Sequence, residues 1–246
     1  MKTRRTAYRR TSQTAMKKSR GWMWRALAIA IGLVLLYQVW LFAHICWWIK
    51  FNPSSSAFME TRLEIMQDQN PDAELRHKWV PYSKISNHLK RALIAAEDSS
   101  FVDHEGFDWE GIQKAYKKNL KKGKIVAGGS TISQQLAKNL FLSTKRTPWR
   151  KLEEAAITVM LEAVMDKQRI FEIYLNVIEW GDGVFGAEAA ARHYFRTSAG
   201  QLSAAQSAKL AAMVPNPRYY DKHREARGLE HKTAIILWRM GEAEIP

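Results

Sequence analysis

The 246-residue chain carries 38 Lys and Arg against 24 Asp and Glu, a formal net charge of +14, with 46% hydrophobic residues and one cysteine. Such basicity points to nucleic acid only when it covers a folded face. Here ten of the Lys and Arg lie in residues 1–50, which hold no Asp or Glu, and the remainder carries 28 basic against 24 acidic residues. The lone Cys46 excludes an intrachain disulfide, and with no CxxC or helically spaced His pair no metal site is expected.

In chain order, residues 1–25 read as a basic tail and residues 26–49 as an apolar helix. At about 1.5 Å rise per residue that helix is long enough to cross a bilayer. Trp22 and Trp24 flank one end and Trp47 and Trp48 the other, where amphipathic rings favour the headgroup level. The basic residues precede the span, so the N-terminus is expected in the cytoplasm and the remainder on the far side. The apolar run exceeds a signal-peptide core and no small-x-small cleavage site follows, which predicts a retained anchor. Residues 50–78, opening with Pro53 and Ser54 to Ser56, read as a linker and membrane-proximal segment, and residues 79–246 as the functional domain.

That domain reads as helical almost throughout. Ser86, Asp108, Ser130, Thr147 with Pro148, Asp166, and Ser203 with Gln206 are placed as helix starts, and Pro215 and Pro217 as a stop. The apolar spacing predicts Trp109, Ile112, Ala115 and Tyr116 inward on one helix, and Leu152, Ala155, Ala156, Val159, Met160 and Ala163 on another. Alternating strand patterns are scarce, so the expected class is all-α.

Three segments hold polar groups that a helical core does not need. Glu97 ends an apolar helical face, where partial burial raises a carboxylate toward a useful base, although a solvated helix end reads equally well. After Gly128 and Gly129, the residues Ser130, Gln134 and Lys138 share one helix face near a free N-terminus, which suits an anion as well as it suits an ordinary amphipathic helix. Arg150, Lys151 and Glu154 open a helix; they suit a phosphate, or form the usual surface ion pair.

Order and spacing are more specific than any one segment, and together they resemble the family-51 glycosyltransferases, the peptidoglycan transglycosylases, over residues 79–217. Glu97, Asp98, Phe101, His104, Gly106 and Asp108 match E-D-x-x-F-x-x-H-x-G-x-D. Gly128, Gly129, Ser130, Thr131, Ile132, Gln134, Gln135, Lys138 and Asn139 match G-G-S-T-I-x-Q-Q-x-x-K-N. Arg150, Lys151 and Glu154 match R-K-x-x-E. Lys167, Ile170, Tyr174, Leu175 and Asn176 match a fourth motif, in which Phe171 replaces the usual leucine. No Ser-x-x-Lys occurs, so a penicillin-binding transpeptidase site is not expected. Residues 180–186 and 214–217 fit the monofunctional subgroup.

The resemblance implies a lysozyme-like, two-lobed all-α domain behind one transmembrane helix. It further implies transfer of the glycan from undecaprenyl-pyrophosphate-linked disaccharide (lipid II) to the 4-hydroxyl of an acceptor N-acetylglucosamine, with inversion to β-1,4, on the outer face of the inner membrane. Glu97 and Glu154 are then the catalytic carboxylates. Ser130, Thr131, Gln134, Gln135, Lys138, Asn139, Arg150 and Lys151 bind substrate, and Asp98, Phe101, His104, Gly128 and Gly129 support the site. No cofactor is required, and a divalent cation is permitted but not indicated. The implied partners are lipid II, the growing glycan strand, the membrane and cell-wall synthesis or division proteins, without nucleic acid; sensitivity to moenomycin-type phosphoglycolipids follows. Residues 140–142, Trp149 and a Lys114, Lys117, Lys118, Lys121 stripe are candidates for membrane contact. A glycan hydrolase and a non-catalytic membrane-anchored scaffold are the alternatives. The cations argue against the first and the polar face of Ser130, Gln134 and Lys138 against the second.

Overall fold

The structure, a computed structural model, describes the backbone of residues 3–124, 128–142 and 147–246, and side chains from Trp22 onward except that of Pro148. The basic side chains expected before Trp22 lie outside the described residues. The chain forms two compact units, Met1–Trp47 and Trp48–Pro246.

The first unit is one helix, α1 (Thr3–Trp47), which begins well before the expected span. Its proline-free sequence lets the helix run uninterrupted. The stretch Trp22–Trp48, 27 residues of mean hydropathy 2.2, is long and apolar enough to cross a membrane.

The second unit contains α2 (Ala57–Gln67), β1 (Arg76–His77), α3 (Asn87–Glu97), α4 (Trp109–Lys122), α5 (Ile132–Phe141), α6 (Pro148–Val164), α7 (Lys167–Val177), β2 (Glu179–Gly181), β3 (Val184–Phe185), α8 (Ala187–Phe195), α9 (Ala204–Met213), α10 (Pro217–Lys222) and α11 (Arg227–Arg239). The protein is mostly helical, 66%. Its helix starts follow local chemistry. Ser86, Asp108, Thr147, Asp166 and Ser203 each accept a backbone N–H of the first turn, at His88, Gly111, Arg150, Arg169 and Gln206 respectively. The cap of α5 falls one residue beyond the expected Ser130. Thr131 takes Gln134 N, and the Gln134 side chain returns to Thr131 N at 3.0 Å, a reciprocal capping box.

The helices pack in two groups. In one, α9 lies between α3 and α11; in the other, α5 packs on α6, α7 and α2. A small sheet of order β1-β3-β2 joins distant sequence, with Arg76 beside Val184 and His77 beside Phe185 in parallel register. Residues 50–78, read as a linker and membrane-proximal segment, hold α2 and β1, which pack on α5 and β3. Asn176, fully buried on α7, fixes the chain after β1: its Nδ2 donates to Val80 O at 3.0 Å and Glu172 O at 2.8 Å, and its Oδ1 accepts from Val80 N at 2.9 Å. Trp180, Tyr174, Phe101, Phe171 and Phe185 are the largest buried side chains around these joints.

Two helices turn an unexpected face to the core. On α4 only Ala115 is buried, while Trp109, Tyr116 and Leu120 are exposed. On α6 the inward residues are Glu154, Ile157, Thr158 and Leu161, and Leu152 and Val159 face outward with Trp149. Both helices are apolar on more than one stripe, so period alone does not say which stripe finds a partner. Leu140 and Leu142 are core residues, and Phe141 packs against Trp48 with centroids 5.1 Å apart, leaving Trp149 as the exposed member of that group. Lys114 pairs with Glu110 at 2.9 Å on an exposed face.

Asn176→Ala removes the three contacts and leaves buried backbone groups of Val80 unpaired, which costs about 2–4 kcal/mol. Denaturant titration should show the midpoint falling with an unchanged slope; a midpoint equal to wild type would mean that the 76–80 segment is held by other contacts.

Candidate active site

The apolar stripe of α3, with Leu89, Ala92, Leu93 and Ile94 buried, carries Glu97 to the edge of the core at the last turn. Gln135 Nε2 donates to Glu97 Oε2 at 2.8 Å, and Gln135 Oε1 accepts from the hydroxyl of buried Tyr174 at 3.0 Å. This chain assigns the Gln135 amide: its oxygen is used by Tyr174, so its NH2 must face Glu97. Burial pushes the Glu97 carboxyl above its ordinary range, and the Gln135 hydrogen bond and the charges of Lys138 and Lys232 pull it back in part. Burial, with Glu97 and Asp98 nearby, also raises Tyr174 well above the usual phenol, so it remains a donor.

Asp98, next in sequence, points the other way. It accepts from Ile132 N at 2.9 Å and from His104 Nε2 at 3.0 Å. Gly106 N donates to His104 Nδ1 at 3.1 Å, which leaves Nε2–H as the ring's donor to Asp98. Thr131 Oγ1 donates to Gly106 O at 2.7 Å and closes the loop against α5. Gly106 has φ +87 and a side chain there would meet Thr158 Cγ2 at 2.8 Å, so only glycine fits. Phe101 is fully buried against Phe171, with Lys167 Nζ 4.7 Å from its ring. Asp98, Phe101 and His104 thus fix the loop.

Two adjoining cavities share Ser130. The first, about 230 Å³, is lined by Glu97, Asp98, Gly128, Gly129, Ser130, Thr131 and Arg239 among others. Gly128 has open space around it there, whereas a side chain at Gly129 would press on Ile112 Cα at 3.1 Å. The second, about 360 Å³, is lined by Phe58, Ser130, Gln134, Gln135, Lys138, Arg150, Lys151, Glu154 and Arg218. Burial lowers the Lys138 ammonium, opposed by Glu154 and Glu97, while Arg150 and Lys151 lower it further. Glu154 is buried and pairs with Lys151 rather than with Arg150, whose enclosed Nε has no hydrogen-bond partner among the described residues.

The cavities bring together most residues singled out by motif, but not all are open to a ligand. Thr131 Oγ1 and the Gln134 carbonyl are committed to the capping box, and Gln134 offers only its NH2. Asn139 is buried, turns its amide to Gln135 O at 2.8 Å and lines neither cavity. Arg239 lines the first cavity, and with Lys232, on the same face of α11, it lines a further cavity of about 210 Å³ beside Glu97. They were missed because an i, i+7 pair of cations on a C-terminal helix resembles any solvated face; only the tertiary packing of α11 on α9 brings it to Glu97. Glu162 of α6 accepts from Ser133 Oγ and from Lys167 Nζ at 2.8 Å and so ties α6 to α5 and α7.

A family model described as Transglycosylase matches residues 64–241. Among curated relatives, a biosynthetic peptidoglycan transglycosylase of Methylobacillus flagellatus is 73% identical over 223 residues, covering 91% of this chain and 97% of the relative. Proteins of the same name from Chromobacterium violaceum and Laribacter hongkongensis are each 67% identical, the alignments covering 91% and 92% of this chain and 98% and 99% of the relatives.

Glu97 also makes a stability prediction. A carboxyl whose folded pKa is raised binds its proton more tightly in the native state, so its cost is absent below the unfolded pKa and complete above the folded one. Glu97→Gln keeps an acceptor for Gln135 and removes that cost. Its melting temperature should exceed wild type by about 2–5 °C at pH 8, on the order of 1 kcal/mol, and the gap should close toward pH 4. A variant equally or less stable than wild type at pH 8 would contradict the burial argument.

Proposed function

The chain belongs to the transglycosylase family and is a peptidoglycan glycosyltransferase; from that premise we propose that it polymerises glycan strands from lipid II with inversion at the anomeric carbon. The observation that carries this reading is a desolvated carboxylate, Glu97, in a cavity that adjoins, at Ser130, a second one walled by Lys138, Arg150, Lys151 and Arg218. A hydroxyl whose pKa is far above 7 needs a base at the moment of attack, and Glu97 is placed for it. A pyrophosphate leaving group needs cations, whereas a hydrolase cutting a neutral glycan does not.

The acceptor N-acetylglucosamine lies in the cavity of Glu97, Gly128 and Ser130, and its 4-hydroxyl gives its proton to Glu97 as the oxygen attacks C1 of the donor N-acetylmuramic acid. The C1–oxygen bond to pyrophosphate breaks and the α-linkage becomes β-1,4. Lys138, Arg150 and Lys151 receive the developing charge, and Glu154 orients them through Lys151. Gln135 holds the base, and Ser130 and the Gln134 NH2 contact sugar or phosphate oxygens. No cofactor enters this scheme.

The anchor places the N-terminus in the cytoplasm and the catalytic unit in the periplasm, since basic residues before a span are retained inside. The exposed Trp149, Leu152 and Val159 of α6, and Trp109, Tyr116 and Leu120 of α4 with its lysines, rest against the lipid surface from which both substrates come.

Polymerisation of lipid II by the purified full chain tests the reading. Glu97→Gln should lower turnover by about 10²-fold or more. Glu154→Gln should impair turnover with an altered pH profile, while Glu153→Gln stays within a few-fold, because successive helix residues differ by about 100° in direction. A Glu97→Gln protein that polymerises at the wild-type rate would remove the mechanism. Moenomycin should block the reaction and a penicillin probe should leave the protein unlabelled; covalent labelling would reveal a second active site.

A further inference from the structure

Arg218 enters the second cavity from α10, away from the α5 and α6 cations, and no sequence motif pointed to it. Its Nε lies 3.5 Å from Oε2 of Glu179, the first residue of β2, against which α10 packs. The Glu179 side chain is only 14% exposed. Its other oxygen, Oε1, is 4.0 Å from Arg62 Nε on α2, too far for a hydrogen bond, and both atoms lack hydrogen-bond partners among the described residues. The far end of the Arg62 guanidinium is taken by Asp182. Four charges, Arg62, Asp182, Glu179 and Arg218, thus form a neutral row that runs from α2 to the cavity wall.

A carboxylate in such a place is expensive, and a glutamine would fill the volume without that cost. Burial pushes Glu179 up to about 7 even with Arg218 and Arg62 pulling it down. Its use is legible in what it holds. The Arg218 side chain is 53% exposed, makes no other ion pair among the described residues, and lines the same cavity as Lys138, Arg150 and Lys151. A guanidinium whose Nε faces its carboxylate partner leaves its two terminal NH2 groups outside that ion pair, the pair that grips a phosphate in two-point fashion. A pyrophosphate has two phosphorus centres, and Arg218 brings to the cavity a cation from an element other than α5 and α6, which carry Lys138, Arg150 and Lys151.

Resting on the polymerase reading above, we propose that Arg218 is a pyrophosphate-binding residue for the donor and that Glu179 is the positioning residue that holds it at the cavity wall. Arg218 contacts the substrate; Glu179 acts only through Arg218. The row also explains why Arg62, remote from the chemistry, is charged: with Arg218 it keeps Glu179 from being an isolated buried anion, while Asp182 takes the far end of its guanidinium.

The test is steady-state polymerisation of lipid II by the full chain in detergent, with melting temperatures recorded for each variant. Arg218→Ala should raise KM for the donor about ten-fold and lower kcat by less than about three-fold, as expected for loss of a charge-assisted contact made in ground and transition states alike. Arg218→Lys should restore part of the affinity, since it keeps the charge and loses the fork. Glu179→Gln should raise KM about three-fold, and in the Arg218→Ala background should add nothing, because residues acting in series are not additive. Unchanged KM in Arg218→Ala overturns the proposal, and so do effects of the two variants that multiply, or losses that track melting temperature. Wild type and Lys138→Ala run beside them. If wild type makes no polymer, the polymerase reading fails; if wild type polymerises, Lys138→Ala is impaired and Arg218→Ala binds normally, only the present inference fails.

Discussion

The site depends on one hydrogen-bond chain, Tyr174 to Gln135 to Glu97, with distances of 3.0 and 2.8 Å. It links α7, α5 and α3, three helices from both packing groups, and it has only one direction. Tyr174 is buried and kept protonated, so it donates; Gln135 then offers its NH2 to Glu97 and leaves the other carboxylate oxygen unencumbered. One such bond contributes only about 1 kcal/mol net, but leaving any of these enclosed groups unpaired costs more, so the chain persists as a unit. The Glu97 carboxyl is thereby both fixed and desolvated, and the charge of neighbouring Asp98 adds to its rise.

Asp98 provides the complementary constraint. Sharing a helix end with Glu97, it turns inward to Ile132 N and His104, and this ties the start of α5 to the end of α3. The start of α5 in turn sets where Ser130, Gln135 and Lys138 face. The two adjacent acids therefore have opposite tasks. Asp98 is consumed by the fold so that Glu97 does not have to be, and the loop through Gly106 closes because Thr131 serves both as helix cap and as donor to Gly106 O.

Much of this was legible from local chemistry. Caps at Ser86, Asp108, Thr147, Asp166 and Ser203 require only a short polar side chain before a helical pattern, and each appears where it was read. The motif order located Glu97, Gln135, Lys138, Arg150, Lys151 and Glu154, and these converge on adjoining cavities. What was not legible depends on tertiary partners. The inward faces of α4 and α6 were misread because Leu152, Val159, Trp109 and Tyr116 are apolar yet have no protein to cover them. Ser130 was read as the cap because either of two adjacent hydroxyls suits the role, and Thr131 wins by also reaching Gly106. Arg239, Lys232 and Arg218 come from helices far along the chain, and nothing in their own surroundings distinguishes them from solvated cations.

The charges of the two cavities are pushed in opposite senses by the same burial. Glu97 is raised and Lys138 lowered, so each is driven toward its neutral form while the other's charge pulls it back. Under the polymerase reading proposed above, a bound donor pyrophosphate would change that balance: its negative charge would favour the ammonium of Lys138 and, from the neighbouring cavity, raise Glu97 further. The leaving group of that reading would then prepare both the cation that receives its charge and the carboxylate that takes the proton.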